Sequence, residues 1–150
     1  MTIAAEIETR IERSPADVFE ALVAVEQFPQ WLIASGITRV ELLDDGPVAA
    51  RSKVRISQSV GGRSTVLDGT ITRLDPGRGF GLEARDQDGV TIKISAELRP
   101  DGDGTALSWS VRIGLPLRFR MFESMIAPQV RRAAALDLEA LKRRLESNAA

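Results

Sequence analysis

Asp137 is the residue whose type and position point most directly at chemistry. It lies in a long helical pattern near the C-terminus. At roughly 100° per residue it falls within the apolar arc, between the directions of Ala133 and Leu141. An ionised carboxylate there is costly unless it is paired or hydrogen-bonded. Two roles meet that condition. One is a structural acid bonded to a backbone N–H, to a strand hydroxyl such as Thr9, or to an arginine. The other is the polar anchor, or the general base, of an internal pocket. Two more polar groups sit at inward positions of strand-like segments. Gln58 shares a face with Val54, Ile56 and Val60, and its amide either orients a ligand or reaches solvent beside Gly61. Trp109 projects inward by parity, and a buried indole N–H needs an acceptor: a backbone carbonyl, a water or a ligand oxygen.

The chemistry open to these groups is narrow. The 150 residues include no histidine, cysteine or tyrosine. That composition excludes a Ser-His-Asp triad, a Cys-His pair, a phenolic acid, a disulfide framework and any zinc site built on imidazole or thiolate. No loop has calcium-site spacing, so no metal and no cofactor are expected. Gly61-Gly62 and Gly77-Arg78-Gly79 lack the spacing and strand-to-helix context of phosphate loops and read as hairpin turns. The net charge of −1 gives no general attraction to nucleic acid or anionic membrane. Arg131, Arg132, Lys142, Arg143 and Arg144 read as a solvated helix face, with no interleaved aromatics to stack on bases. No apolar run approaches the roughly 20 residues that cross a bilayer, and the first 13 residues do not read as a signal peptide. A cytoplasmic protein is expected, without nucleic acid or integral membrane association.

The elements that position these groups follow from periodicity. Ile3, Ala5, Ile7, Thr9 and Ile11 alternate with charged residues, which predicts a half-buried strand. Ser14-Pro15-Ala16-Asp17 then caps and opens a short helix to about Val23. A second short helical piece carries Phe28 and Trp31. From Gly36 to Gly114, turn clusters separate alternating segments that carry Val54 and Ile56, Phe80 and Leu82, Ile92 and Ile94, and Trp109. Ser64 to Leu74 is ambiguous, because both of its faces carry apolar residues. Short turns join antiparallel neighbours, so one domain with a meandering sheet is expected. Leu117 to about Ser147 reads as one long helix, with Pro128 expected to kink or break it. The helix must cover the apolar face of the sheet.

The order of elements, with the residues that fill them, resembles a known superfamily. The matching stretches are Ile11-Glu12-Arg13-Ser14-Pro15-Ala16-Asp17-Val18-Phe19, Phe28-Pro29-Gln30-Trp31, Leu74-Asp75-Pro76, Asp103-Gly104-Thr105-Ala106-Leu107 and Asp137 to Glu146. They resemble the SRPBCC superfamily, also called START-like or Bet v 1-like, and its polyketide cyclase/dehydrase branch. The resemblance implies an α+β helix-grip fold. A curved antiparallel sheet of about seven strands closes around the long helix, with two short helices after the first strand. It further implies a cavity for a lipid, sterol, polyketide or aromatic compound. The iron-dependent hydroxylase subunits of that superfamily need histidines that are absent here. Its aromatic cyclases tend to use Arg, Tyr and His, of which only the first is present.

The expected cavity is lined by Phe80, Leu82, Ile92, Ile94, Trp109, Phe122 and Ile126, and opens near Pro128 and the hairpin loops. Phe28 and Trp31 are either core or pocket wall. Phe119, Met121, Phe122, Met125 and Ile126 form either an adaptable pocket wall or a packed core. The leading expectation is non-catalytic binding of a small hydrophobic molecule by a monomer or homodimer. The alternatives are a cyclase or dehydratase using polar cavity residues, and a regulatory domain whose cavity its own side chains fill. No catalytic residue is assigned.

Overall fold

The computed structural model describes residues 2–147. β1 (Thr2–Ile11) leads into α1 (Pro15–Val23). The α1 cap forms as its sequence dictates: the Ser14 hydroxyl accepts from the Asp17 N–H at 3.2 Å, and Pro15 occupies the first turn. Val18 and Leu22 face inward and are buried. A 3-10 helix, Val25–Gln30, brings Phe28 into the core. The meander follows: β2 (Ile37–Leu42), β3 (Lys53–Val60), β4 (Arg63–Asp75), β5 (Gly79–Asp86), β6 (Thr91–Asp101) and β7 (Gly104–Gly114). A second 3-10 helix, Leu117–Phe122, runs into α2 (Glu123–Ser147).

The seven strands form one antiparallel sheet in the order β1-β7-β6-β5-β4-β3-β2. The first strand thus pairs with the last, from Thr2↔Gly114 to Ile11↔Thr105. Thr105 is fully buried, and its hydroxyl donates to the Arg13 carbonyl at 2.7 Å, tying β7 to the β1–α1 junction. The β3–β4 hairpin turns on Gly61-Gly62, both with positive φ, as a two-residue turn in that register requires.

Two sequence expectations need correction. The chain from Leu117 to Phe122 is 3-10 rather than α, a common prelude to a helix N-terminus. Of the kink or break expected at Pro128, there is no break: the α-helix runs through it without ending. Pro128 lies early in α2, where it removes only the bond to the Ser124 carbonyl, and one such loss does not stop a helix held elsewhere by packing. That packing is in the C-terminal half, where Ala134, Leu138, Leu141 and Leu145 are buried and α2 lies against β1. The last turn is also tied down: the Arg13 guanidinium donates to the Leu145 carbonyl at 2.8 Å, and the Glu146 carboxylate accepts from the Glu12 N–H at 2.9 Å.

The ambiguous segment becomes β4. Its register slips between Ile71 and Arg73, a bulge at Thr72. Leu67 and Ile71 point inward before the bulge, and Leu74 packs on the core after it. The inward parity therefore changes within one strand; together with Val66, which is exposed on the outer face before the bulge, this makes both faces look apolar in the sequence.

Candidate functional site

The sheet and α2 meet tightly at one end and part at the other. At the tight end, Val18 and Leu22 of α1, Leu98 and Leu107 of the sheet, and Leu138, Leu141 and Leu145 of α2 form a continuous core. At the other end lies a cavity of about 490 Å³, within the roughly 300–1,000 Å³ of small-molecule sites. Its walls include Ile56 and Gln58 from β3, Ile92 and Ile94 from β6, and Trp109 and Val111 from β7. Phe28, Leu32 and Ser35 close one side, and Phe119, Phe122, Ile126 and Ala133 close the other. Ile92, Ile94 and Val111 face inward yet are only half-buried, because they meet the cavity instead of α2.

Among the candidate residues, Phe28, Ile56, Gln58, Ile92, Ile94, Trp109, Phe119, Phe122 and Ile126 touch this cavity. Trp31, Val54, Phe80, Leu82 and Asp137 do not. The reason is position along the strand. Parity places all the strand residues inward, but Val54, Phe80 and Leu82 lie nearer the tight end and are fully buried there. Trp31 backs the wall: its ring meets Trp109 edge-on at 5.5 Å and Phe28 at 5.4 Å, while Phe80 meets Phe28 at 6.2 Å. Met121 and Met125 are exposed and line nothing inside. Pro128 is not on the wall either, although Gln129 and Val130 are. Val60, Val111 and Ile113 were missed, yet they share strand faces with Gln58 and Trp109 and could have been found by parity. Ser35 and Ala34 carry no such signal, because they lie in a loop.

Asp137 builds the wall without touching the space. Its carboxylate accepts from the Ala34 N–H at 2.8 Å, from the Ser35 N–H at 3.2 Å and from the Ser35 hydroxyl. From the opposite side, the Gln58 amide donates to the Ser35 carbonyl at 2.9 Å. The loop from Leu32 to Gly36 is thus clamped between α2 and β3. Gly36 completes the clamp with φ +75°, and a Cβ there would fall 2.3 Å from the Ser59 carbonyl oxygen. Burial pushes the Asp137 carboxyl above the usual aspartate range, against the three hydrogen bonds that favour its ionised form.

The mouth is edged by the β3–β4 hairpin, the β5–β6 turn and the second 3-10 helix. Asp88 joins all three: it pairs with Arg63 at 2.7 Å, and Arg118 bonds its backbone carbonyl. Asp86, the carboxylate on the cavity wall, is used in its own turn, accepting from the Asp88 and Val90 N–H groups at 2.9 Å. Among the described residues, no group of three or more carboxylates is placed to hold a metal ion. Asp88→Ala should leave stability within about 1 kcal/mol, since exposed ion pairs contribute little. Stopped-flow measurement should instead show faster entry and exit of a cavity-bound dye, and the parent's rates should approach the variant's at high salt.

The family described as polyketide cyclase/dehydrase and lipid transport matches residues 2–146. A search of curated proteins finds no similar sequence. Among solved structures, the Zhui aromatase/cyclase from Streptomyces sp. R1128 superposes with a TM-score of 0.80 at 17% identity, over 100% of this chain and 97% of that one. A protein from Thermus thermophilus gives 0.79 at 14% identity, over 98% and 99%. A START superfamily protein from Mycobacterium smegmatis gives 0.68 at 17% identity, over 96% and 94%. These identities speak for the fold, which is the helix-grip arrangement that the sequence implies. With a matching pattern that spans nearly its full length, the chain belongs to the polyketide cyclase/dehydrase and lipid transport family.

Proposed function

We propose that the protein binds a small hydrophobic molecule, a lipid, polyketide or aromatic compound, in the cavity between the sheet and α2, and does not transform it. The observation that carries this reading is the state of the polar groups around an otherwise apolar space. Asp137, Asp86 and one N–H of the Gln58 amide are engaged in holding the wall together. General acid–base chemistry needs a poised group within reach of the substrate, and these are committed elsewhere. No helix among the described residues is long and apolar enough to cross a membrane, and the ligand in this reading is taken up by a monomer or homodimer in the cytoplasm.

An uncharged naphthylamine dye should bind saturably, one per chain, with a Kd on the order of 10 µM. Its fluorescence should rise on binding and fall when a long-chain alcohol or a polycyclic aromatic is added. A dye that shows no saturable signal with folded protein sinks the proposal. The second reading is a cyclase- or dehydratase-type enzyme, favoured by the family description. It takes precedence if a poly-β-ketone substrate added to the protein is converted faster than in buffer.

A further inference from the structure

We propose that the rim formed by the second 3-10 helix and the start of α2 docks on the surface of an anionic lipid bilayer. Its apolar side chains enter the boundary of the acyl chains, and its arginines meet the lipid phosphates. This surface lies outside the cavity, and docking does not require the cavity to be occupied.

The first observation is an exposed apolar cluster with no use inside the protein. Leu117 and Met121 are each 78% exposed, and Met125 is 59% exposed. None of the three belongs to the core or to the cavity wall. Phe122 is 41% exposed although it also touches the cavity. Single exposed apolar residues are ordinary. These crowd one junction, where the second 3-10 helix meets α2, and a contiguous apolar patch marks a contact surface. The β3–β4 hairpin adds exposed Val60 across the mouth. Asp88 ties the two parts of the rim together, through Arg63 of the hairpin and Arg118 of the 3-10 helix.

The second observation is charge. From Leu117 to Arg132 the chain carries Arg118, Arg120, Arg131 and Arg132 against one carboxylate, Glu123, although the whole chain has a net charge of −1. All four arginines are exposed. Asp88 is shared by Arg63 and Arg118, and no ion pair among the described residues engages Arg120. In the 3-10 helix the arginines alternate with apolar residues, Leu117-Arg118-Phe119-Arg120-Met121. Such a mixture suits the bilayer boundary, where head groups and acyl chains meet within about 5–10 Å. Guanidinium also matches phosphate oxygens two at a time. A second copy of the chain fits less well, because a two-fold interface sets a patch against itself and would face arginine with arginine.

Sedimentation of the full chain with lipid vesicles tests this. The protein should bind vesicles of phosphatidylglycerol and phosphatidylcholine in equal parts, bind phosphatidylcholine alone far less, and leave the mixed vesicles as salt is raised. Arg120→Gln should weaken binding to the mixed vesicles roughly five-fold, as the loss of one cation near an anionic surface does. Leu117→Gln combined with Met121→Gln should weaken it about ten-fold or more. Val66→Gln, at an exposed valine on the outer face of the sheet, should bind as the parent does. If neither vesicle captures the parent, or both capture it equally, docking on an anionic surface is wrong, while cavity binding stands or falls on its own dye titration. If Val66→Gln weakens binding as much as the double variant, the assignment to this rim is wrong. If light scattering finds a dimer that the double variant abolishes, a second copy covers the patch and the proposal is overturned. If the double variant does not fold, Arg120→Gln and the two lipid compositions decide.

Discussion

Leu82→Ala is expected to destabilise the protein by about 2–5 kcal/mol, as buried leucine truncations do. Ile94→Ala, at its cross-strand partner, is expected to cost no more than about 1.5 kcal/mol. The two side chains share a face and a register pair, so a sequence pattern treats them alike. Their surroundings differ. Leu82 is fully buried and closed in by neighbours that cannot collapse freely into the space it would leave. Ile94 already borders the cavity, so its loss enlarges an existing space and creates no new void. The effects on binding should be reversed. Dye affinity per folded molecule should be unchanged in Leu82→Ala and measurably altered in Ile94→Ala. Urea titration and dye titration on both variants check this, and equal stability losses would mean that the division into a packed end and a cavity end is wrong.

Asp137→Ala should cost about 2–4 kcal/mol, because it strands two backbone N–H groups and a hydroxyl that the carboxyl now satisfies. For a chain of this size that corresponds to a fall in Tm of roughly 4–16 °C. The loss should be felt at the cavity as well, since the freed loop forms part of its wall. Asp137→Asn tests the charge separately. The folded carboxyl titrates above the ordinary aspartate range because burial opposes its ionisation. A folded pKa raised above the unfolded one favours the folded state most below the unfolded value. That contribution is lost as pH rises through the folded value. The parent should therefore lose stability with rising pH across that window. The asparagine variant, with nothing to titrate there, should not. The stability gap between them should be widest in acid and narrow as pH rises. A gap that widens with pH would show that the hydrogen bonds outweigh desolvation.

What the sequence made legible was alternation and capping. Ser14-Pro15 set the start of α1, and the charged–apolar alternation of β1, β5, β6 and β7 fixed which face is inward. The family resemblance supplied the way these parts close around α2. Depth along a strand was not legible, because period two says inward without saying toward what. Phe80 and Leu82 were placed in the cavity for that reason, while Ile92 and Ile94, on the next strand, do border it. The bulge at Thr72 was hidden too, since a one-residue slip erases the alternation that a reader depends on. For Asp137, helical geometry gave the burial and one of its partner types, a backbone N–H. It could not give the partner loop, because Ala34 and Ser35 have no pattern that ties them to a residue 102 or 103 positions away.

The pairing of the first strand with the last also bears on how the chain is made. Residues of β1 leave the ribosome well before those of their partner β7, which ends at Gly114. At synthesis rates of about 5–20 residues per second, on the order of ten seconds pass before that partner exists. Through that interval β1 is an amphipathic segment with one apolar face and nothing to pair with. Loop closure over so long a span is slow even once β7 has emerged. Glu6, Glu8 and Arg10 alternate along its other face, with Glu12 just beyond its end, and charges so placed discourage pairing with a neighbouring nascent chain. The charged face that solvates the finished sheet is thus expected to serve first as protection against aggregation during translation.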